Sequence, residues 1–359
     1  MLPRPRRGQG RSPPVARPGP PDGAGPAQVD PRGHGLRLAP RRSRLSLRGG
    51  NRYRPGCGHG RRPSTVSRVD LERLHHDIRE LARTPRPAGS PELEKAREYV
   101  IREMEHAGWR VTPVPFESTD PYGHTWHGVN LIFHPDGPPD GRPWFCLGAH
   151  LDSLPHSPGA DDNASAVATA LEVARRLPRD ELRQGKLALE LVIFDLEEQG
   201  MLGGEAHVRY VRRRGQKLMG MTSLEMVGYC DHRPNSQSLP RSLVGLYPDT
   251  GDFIAIIGNQ NSGRLIEAFR QEMRRVDGLP VETLEVPENG VYLQATRLSD
   301  HSPFWDAGYP AVMITDTSFL RNPHYHQPTD TIETLDFTFL HRVAQGCLQA
   351  IRAIIRDGF

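Results

Sequence analysis

The sequence predicts an α/β fold: three layers around a mostly parallel core sheet. Three observations lead there. Seven short runs have strand character, and several are apolar almost throughout, as strands covered on both faces are. Segments with helical spacing of apolar residues lie between these runs. Polar residues able to carry chemistry collect just past the ends of the runs, where open α/β sheets bind ligands.

The first 64 residues stand apart from this pattern. They carry 15 Arg against 2 Asp, a balance of +13, which leaves −10 for the rest of a chain whose net charge is +3. With 12 Pro and 12 Gly in the same segment, there is too little apolar surface to offset chain entropy. Residues 1–64 are therefore expected to be a disordered arm, or sequence translated from an over-early start. "RRSRLSL" at 41–47 has the twin-Arg look, but no hydrophobic stretch follows it. Arginine without interleaved aromatics is a poor nucleic-acid signal, so no nucleic-acid partner is expected. With no leader and no spanning run recognised, the expected location is cytoplasmic. Residues 65–359 are expected to form one large domain. Cys57, Cys146, Cys230 and Cys347 form no C-x-x-C pair and read as packed free thiols.

Within the domain, Leu71, Leu74, Ile78 and Leu81 recur at helical spacing. The stretch "SPELEKAREYVIREMEHAG" supplies a second helix, with Ser90 at the N-cap and Pro91 in the first turn. Leu93, Ala96, Val100 and Met104 make its buried stripe, and Gly108 ends it. Strands are expected at 109–114, 129–134, 144–149, 187–195, 219–227, 253–258 and 311–315. Helices are expected at 163–177, about 204–213, 262–276 and 336–356. The loop 228–251 is long and rich in turn formers, and such loops inside a compact domain often border a binding pocket.

His150 and Asp152 follow the strand "WFCLGA"; Glu197 and Glu198 follow "LVIFD"; Glu225 sits in "TSLEMVGY"; and "NPHYHQPTDT" follows "AVMITD". His150, Asp161, Glu198, Glu225 and a late histidine make a thiolate-free ligand set suited to zinc or a similar divalent ion. Five protein groups exceed what one catalytic zinc takes, so two ions sharing one carboxylate are expected. Glu197, beside a ligand but pointing elsewhere, is placed to act as a general base. Asp152 is expected to bond the far nitrogen of His150, and Asp162 to cap or orient the following helix.

Together "GAHLDS…GADDNASA", "FDLEEQGMLGG", "LEMVGY", "LSDHSPFWDAGYPAVMITDT" and "HYHQPTDT" resemble the di-zinc aminopeptidases of metallopeptidase family twenty-eight, over roughly residues 66–359. The resemblance implies an α/β/α sandwich around a mixed sheet, two Zn2+ per chain and peptide substrates. It implies that His150 and Glu225 hold one ion, Glu198 and His326 the other, and that Asp161 bridges. His326 is preferred to His324 because it directly precedes "QPTDT". Glu197 matches the catalytic base, and Tyr325 a tyrosine that bonds the developing oxyanion. A cis peptide after the bridging residue is implied at Asp161–Asp162. Leu298 stands where some members have Arg, with Arg297 one residue earlier, and Asp300 and His301 are expected either at the pocket wall or in a purely structural role. The activity implied is hydrolysis of an N-terminal peptide bond. A glutaminyl-cyclase-like acyl transferase and a catalytically inactive peptidase-like binding protein are the alternatives.

Overall fold

In the computed structural model the described residues are 68–120, 122–135 and 141–359. The arm expected over 1–64, with Cys57, lies outside them.

The chain opens with α1 (Leu71–Leu81) and α2 (Pro91–His106). Asp70 caps α1 by accepting from the backbone N–H of Glu72 and Arg73. Ser90 caps α2 by accepting from Leu93, with Pro91 in the first turn as expected. There follow β1 (Arg110–Thr119), β2 (Thr125–His134), β3 (Trp144–His150), α3 (Ala166–Arg176) and α4 (Arg179–Gln184). The chain continues through β4 (Ala188–Phe194), α5 (Leu202–Arg213), β5 (Leu218–Glu225), β6 (Ile254–Asn259) and α6 (Gly263–Met273). It ends with β7 (Val281–Val286), α7 (Ser302–Asp306), β8 (Ala311–Thr315) and α8 (Phe337–Asp357).

The eight strands form one mixed sheet in the order β1-β2-β4-β3-β5-β8-β6-β7. Its centre, β4-β3-β5-β8, is parallel throughout, so four strands end at the same edge. The expected α/β fold and three layers are present. β7 was not expected from the sequence: "VETLEV" buries only its two terminal valines and lies at the sheet's edge. β1 runs past the expected 114 through Pro113 and Pro115, which an edge strand tolerates because its outer N–H groups need no partner.

Alternate residues of each strand enter different cores. Phe145, Leu147, Ala149, Leu191 and Ile193 face α1, α2, α3, α6 and α8. Cys146, Val192 and Phe194 face the other way, with Val208 and Val211 of α5 and Phe304 and Trp305 of α7. Among the described residues, loops and short turns cover this second face beyond α7. Phe253, Ala255, Ile257 and Met313 there line a cleft. Among the described residues no helix is long and apolar enough to cross a membrane.

Candidate metal centre

His150 is the last residue of β3, Glu225 the last of β5, and Glu197–Glu198 lie just beyond β4. Parallel pairing aligns these ends, and His150 is level with Phe194. Nε2 of His150 lies 3.3 Å from Oδ1 of Asp162 and 3.5 Å from Oε2 of Glu225. Nε2 of His326 lies 3.2 Å from Oδ2 of Asp162 and 3.3 Å from Oε2 of Glu198. Two ligand sets result, His150–Asp162–Glu225 and Asp162–Glu198–His326, and they share one carboxylate.

The shared carboxylate belongs to Asp162, which corrects the expectation for Asp161. Main-chain N–H groups of Asp161 and Asp162 donate to opposite oxygens of Asp330, at 2.9 and 3.1 Å, and so fix the turn. In that turn the Asp161 side chain points below the site. It accepts from Gly228 N–H at 2.9 Å, Asn322 Nδ2 at 2.7 Å and Ser165 Oγ at 3.1 Å. Burial and the adjacent Asp316 hold its pKa well above the carboxylate range. The expected capping role of Asp162 is likewise replaced, since α3 has no side-chain cap. The cis peptide falls one residue later than expected, at Asp162–Asn163.

The other expected residues divide clearly. Asp152 serves the site by holding backbone: its two oxygens accept from Glu197 and Glu198 N–H, each at 3.1 Å. It meets Nδ1 of His150 through its main-chain carbonyl at 3.2 Å, whereas its carboxylate is 3.6 Å away. Glu197 belongs to neither ligand set, yet its Oε2 is 4.0 Å from His150 Nε2. The Tyr325 ring stacks on His326 with centroids 3.6 Å apart. His324 turns instead to Thr329 Oγ1 at 2.9 Å. Leu298 lines the cleft, while Arg297 bonds Asp306 and the Asn289 carbonyl. Asp300 and His301 are fully buried and do not line the cleft. The His301 ring bonds the Thr296 carbonyl and meets Trp305 edge-on.

Four supporting residues had not been singled out from the sequence. Asp330 fixes the turn, and Ser299 Oγ donates to Glu225 at 2.8 Å. Asn322 supports Asp161. Arg86 is buried and donates to the carbonyls of Leu81, Leu151, Pro158 and Gly159, which clamps the segment between His150 and Asp162. A lone Arg in "TPRPAGS" carries no periodic or spacing signal that would reveal this. Leu196 and His326 both adopt φ of 58°, a left-handed conformation that non-glycine residues keep only under firm surrounding contacts.

The electrostatics suit cations. Burial lifts the Glu197 carboxyl well above its ordinary range, with His150 opposing and Glu225 adding to the rise. Burial and Asp162 push Glu198 up to about 7. His326 reaches about 10, because hydrogen bonds to Asp162 and Glu198 outweigh burial. Nε2 of His150 is buried without a hydrogen-bond partner, although three carboxylates surround it. A buried imidazole nitrogen left open among carboxylate oxygens is what a divalent ion would complete.

Beside the centre lies a cleft of about 1270 Å³, open mouth included. Leu239, Leu243 and Tyr247 of loop 228–251 face Ala255, Ile257 and Met313 across it, so the loop does border a pocket.

A model of peptidase family M28 matches residues 130–351, more than half of the chain. The chain belongs to peptidase family M28. It is a metallopeptidase-family hydrolase, as the sequence motifs implied. Among its relatives, the Escherichia coli (strain K12) protein YfbL is 33% identical over 303 residues, covering 80% of this chain and 89% of that protein. Leucine aminopeptidase 1 of Trichophyton rubrum is 30% identical over 202 residues, 53% of this chain and 49% of the relative, so the match spans about half the fungal protein's length. The fold matches a zinc aminopeptidase from Bacillus subtilis with TM-score 0.63 at 15% identity, covering 82% of this chain and 97% of the other. It also matches Porphyromonas gingivalis glutaminyl cyclase with TM-score 0.59 at 19% identity, covering 79% and 98%.

Proposed function

We propose that this chain is a zinc-dependent aminopeptidase with a two-ion centre. The observation that carries the reading is the placement of Asp162, whose two oxygens face two separate imidazole–carboxylate pairs. His150, Asp162 and Glu225 would hold one ion, and Asp162, Glu198 and His326 the other. Bound there, the ions supply Lewis-acid polarisation of a carbonyl and acidify water.

The chain's own groups do the rest. Glu197 takes the proton of the attacking water and returns it to the leaving amine. Asp152 keeps Glu197 and Glu198 in register through their backbone N–H groups. Tyr325, fixed by stacking on His326, offers its hydroxyl to the oxyanion. The apolar cleft receives a hydrophobic side chain next to the scissile bond. The name of the fungal relative supports aminopeptidase action, and peptides are the substrate class.

The test is metal analysis together with a panel of free and N-blocked aminoacyl peptides, with and without chelator. Near two ions per chain and chelator-sensitive cleavage of free N-termini are expected. Preference for blocked peptides would overturn the aminopeptidase reading. Cyclisation of N-terminal glutamine without hydrolysis would favour the acyl-transferase alternative. Chelator-insensitive inactivity toward every peptide would favour the binding-protein alternative.

A further inference from the structure

We propose a second metal site, distinct from the centre above, made by Cys230, His232 and Asp336 at the base of loop 228–251. Ligand atoms of these three side chains lie within 4.8 Å of one another. Cys230 Sγ is 3.5 Å from Nε2 of His232. That equals the sulfur-to-nitrogen edge of a tetrahedral zinc site, about 3.5 Å for bonds of about 2.3 and 2.05 Å. The same Nε2 is 3.9 Å from Oδ2 of Asp336, so the exposed imidazole closes on an ion by about half an ångström.

Two further features point to a ligand. Asp336 divides its oxygens between two tasks. Oδ1 caps α8 by accepting from Thr338 and Phe339 N–H, at 2.8 and 2.9 Å, and Oδ2 faces His232. Meanwhile Nδ1 of His232 faces Oδ2 of Asp252 at 3.7 Å. One imidazole nitrogen thus looks toward thiol and carboxylate, and the other toward an outer carboxylate. Metal-binding histidines are oriented in this way. Arg233, the adjacent cation in sequence, is committed to Asp231 at 2.5 Å.

The chemistry selects a borderline divalent ion such as Zn2+, with thiolate, imidazole and carboxylate as donors and solvent in the fourth position. Burial and Asp336 push the thiol pKa up to about 12, against the pull of Arg321, so the ion must displace the thiol proton on binding. The same shift argues against a free reactive thiolate. The position matters for the cleft. Asp231 and Gly251 join the loop's two ends by a backbone hydrogen bond of 2.8 Å, and the cluster flanks that junction. An ion there ties the loop that carries Leu239, Leu243 and Tyr247 to the start of α8.

The test is cobalt titration of the full chain after chelator treatment, read by thiolate-to-cobalt charge-transfer absorption. The centre at His150 and His326 has no thiolate and is silent in this readout, so the two readings fail separately. The band is expected in the wild type and in Cys57→Ser and Cys146→Ser, with Zn2+ displacing it. It is expected to vanish in Cys230→Ser. In His232→Ala and Asp336→Asn the affinity should fall by about tenfold or more. The amide oxygen in Asp336→Asn still accepts at the α8 cap, and His232 is exposed, so neither variant threatens the fold. No band at excess cobalt, or a band that survives Cys230→Ser, overturns the proposal.

Discussion

Glu197 and Asp162 face the same histidine but are placed differently in the site. Glu197 belongs to neither ligand set, so Glu197→Gln should keep metal content near wild type and lower kcat by about 10²–10⁴-fold. Near-normal turnover in that variant would remove Glu197 from its proton-transfer role. Asp162 offers an oxygen to each set, so Asp162→Asn should lose metal from both. Asp161→Asn should retain it, because the Asp161 carboxyl meets Gly228, Asn322 and Ser165 rather than the histidines. Metal analysis of the two variants distinguishes them. Loss confined to Asp161→Asn would contradict the geometry of the turn. These neighbouring aspartates also show where sequence reading stops. Composition and strand-end placement identify an acidic ligand in "GADDNAS", but only the backbone path, pinned by Asp330, decides which of the two faces the site.

At the scale of elements, the caps and the cleft loop make separate contributions. Ser90 Oγ satisfies one of the orphan N–H groups at the start of α2, so Ser90→Ala should cost about 1 kcal/mol of stability, read from a urea midpoint. An unchanged midpoint would show that α2 does not depend on this bond. Loop 228–251 lines the cleft together with residues of β6 and β8. Filling the cleft with Leu243→Trp should raise KM for bulky N-terminal residues more than for alanine and leave metal content unaltered. Equal effects on both substrates would place the side-chain pocket elsewhere. The strands and helices of the apolar core were legible because their periodicity reports two-sided or one-sided burial. β7 was not, since a half-exposed edge strand rich in Glu lacks that signature.

Across the whole molecule, the site concentrates acids whose pKa is raised by burial. Glu198 and Asp330 lie at about 7, each also raised by a neighbouring aspartate. Asp316 lies at about 6, with Arg321 partly opposing burial. Each takes up a proton in the folded state before its unfolded counterpart does, near 3.8–4.5. His326, at about 10 when folded against 6.5, acts in the same direction. Stability of chelator-treated protein should therefore rise as pH falls from about 7 to about 5. Below that window the trend should reverse, because His207 and His134 hold Glu190 well below the carboxylate range against the effect of burial. Metal-loaded protein should show a smaller rise, since bound ions would keep Glu198 ionised and His326 neutral, while Asp330 and Asp316 still take up protons. Thermal melts across pH, with and without chelator, check this. A Tm of the chelated protein that falls steadily from pH 7 to pH 5 would show that the acids are not the groups in control.

By itself the sequence determined the α/β class, most of the strands and helices, and the chemical kinds of ligand at the strand ends. Those properties depend on local periodicity and on residue type. The tertiary structure alone decided that Asp162 rather than Asp161 faces both His150 and His326, that Asp152 holds the Glu197–Glu198 backbone, that His301 packs behind Thr296, and that Arg86 clamps the loop. Each of these depends on which way a side chain leaves a turn held by residues tens to hundreds of positions away, and no local pattern encodes that direction.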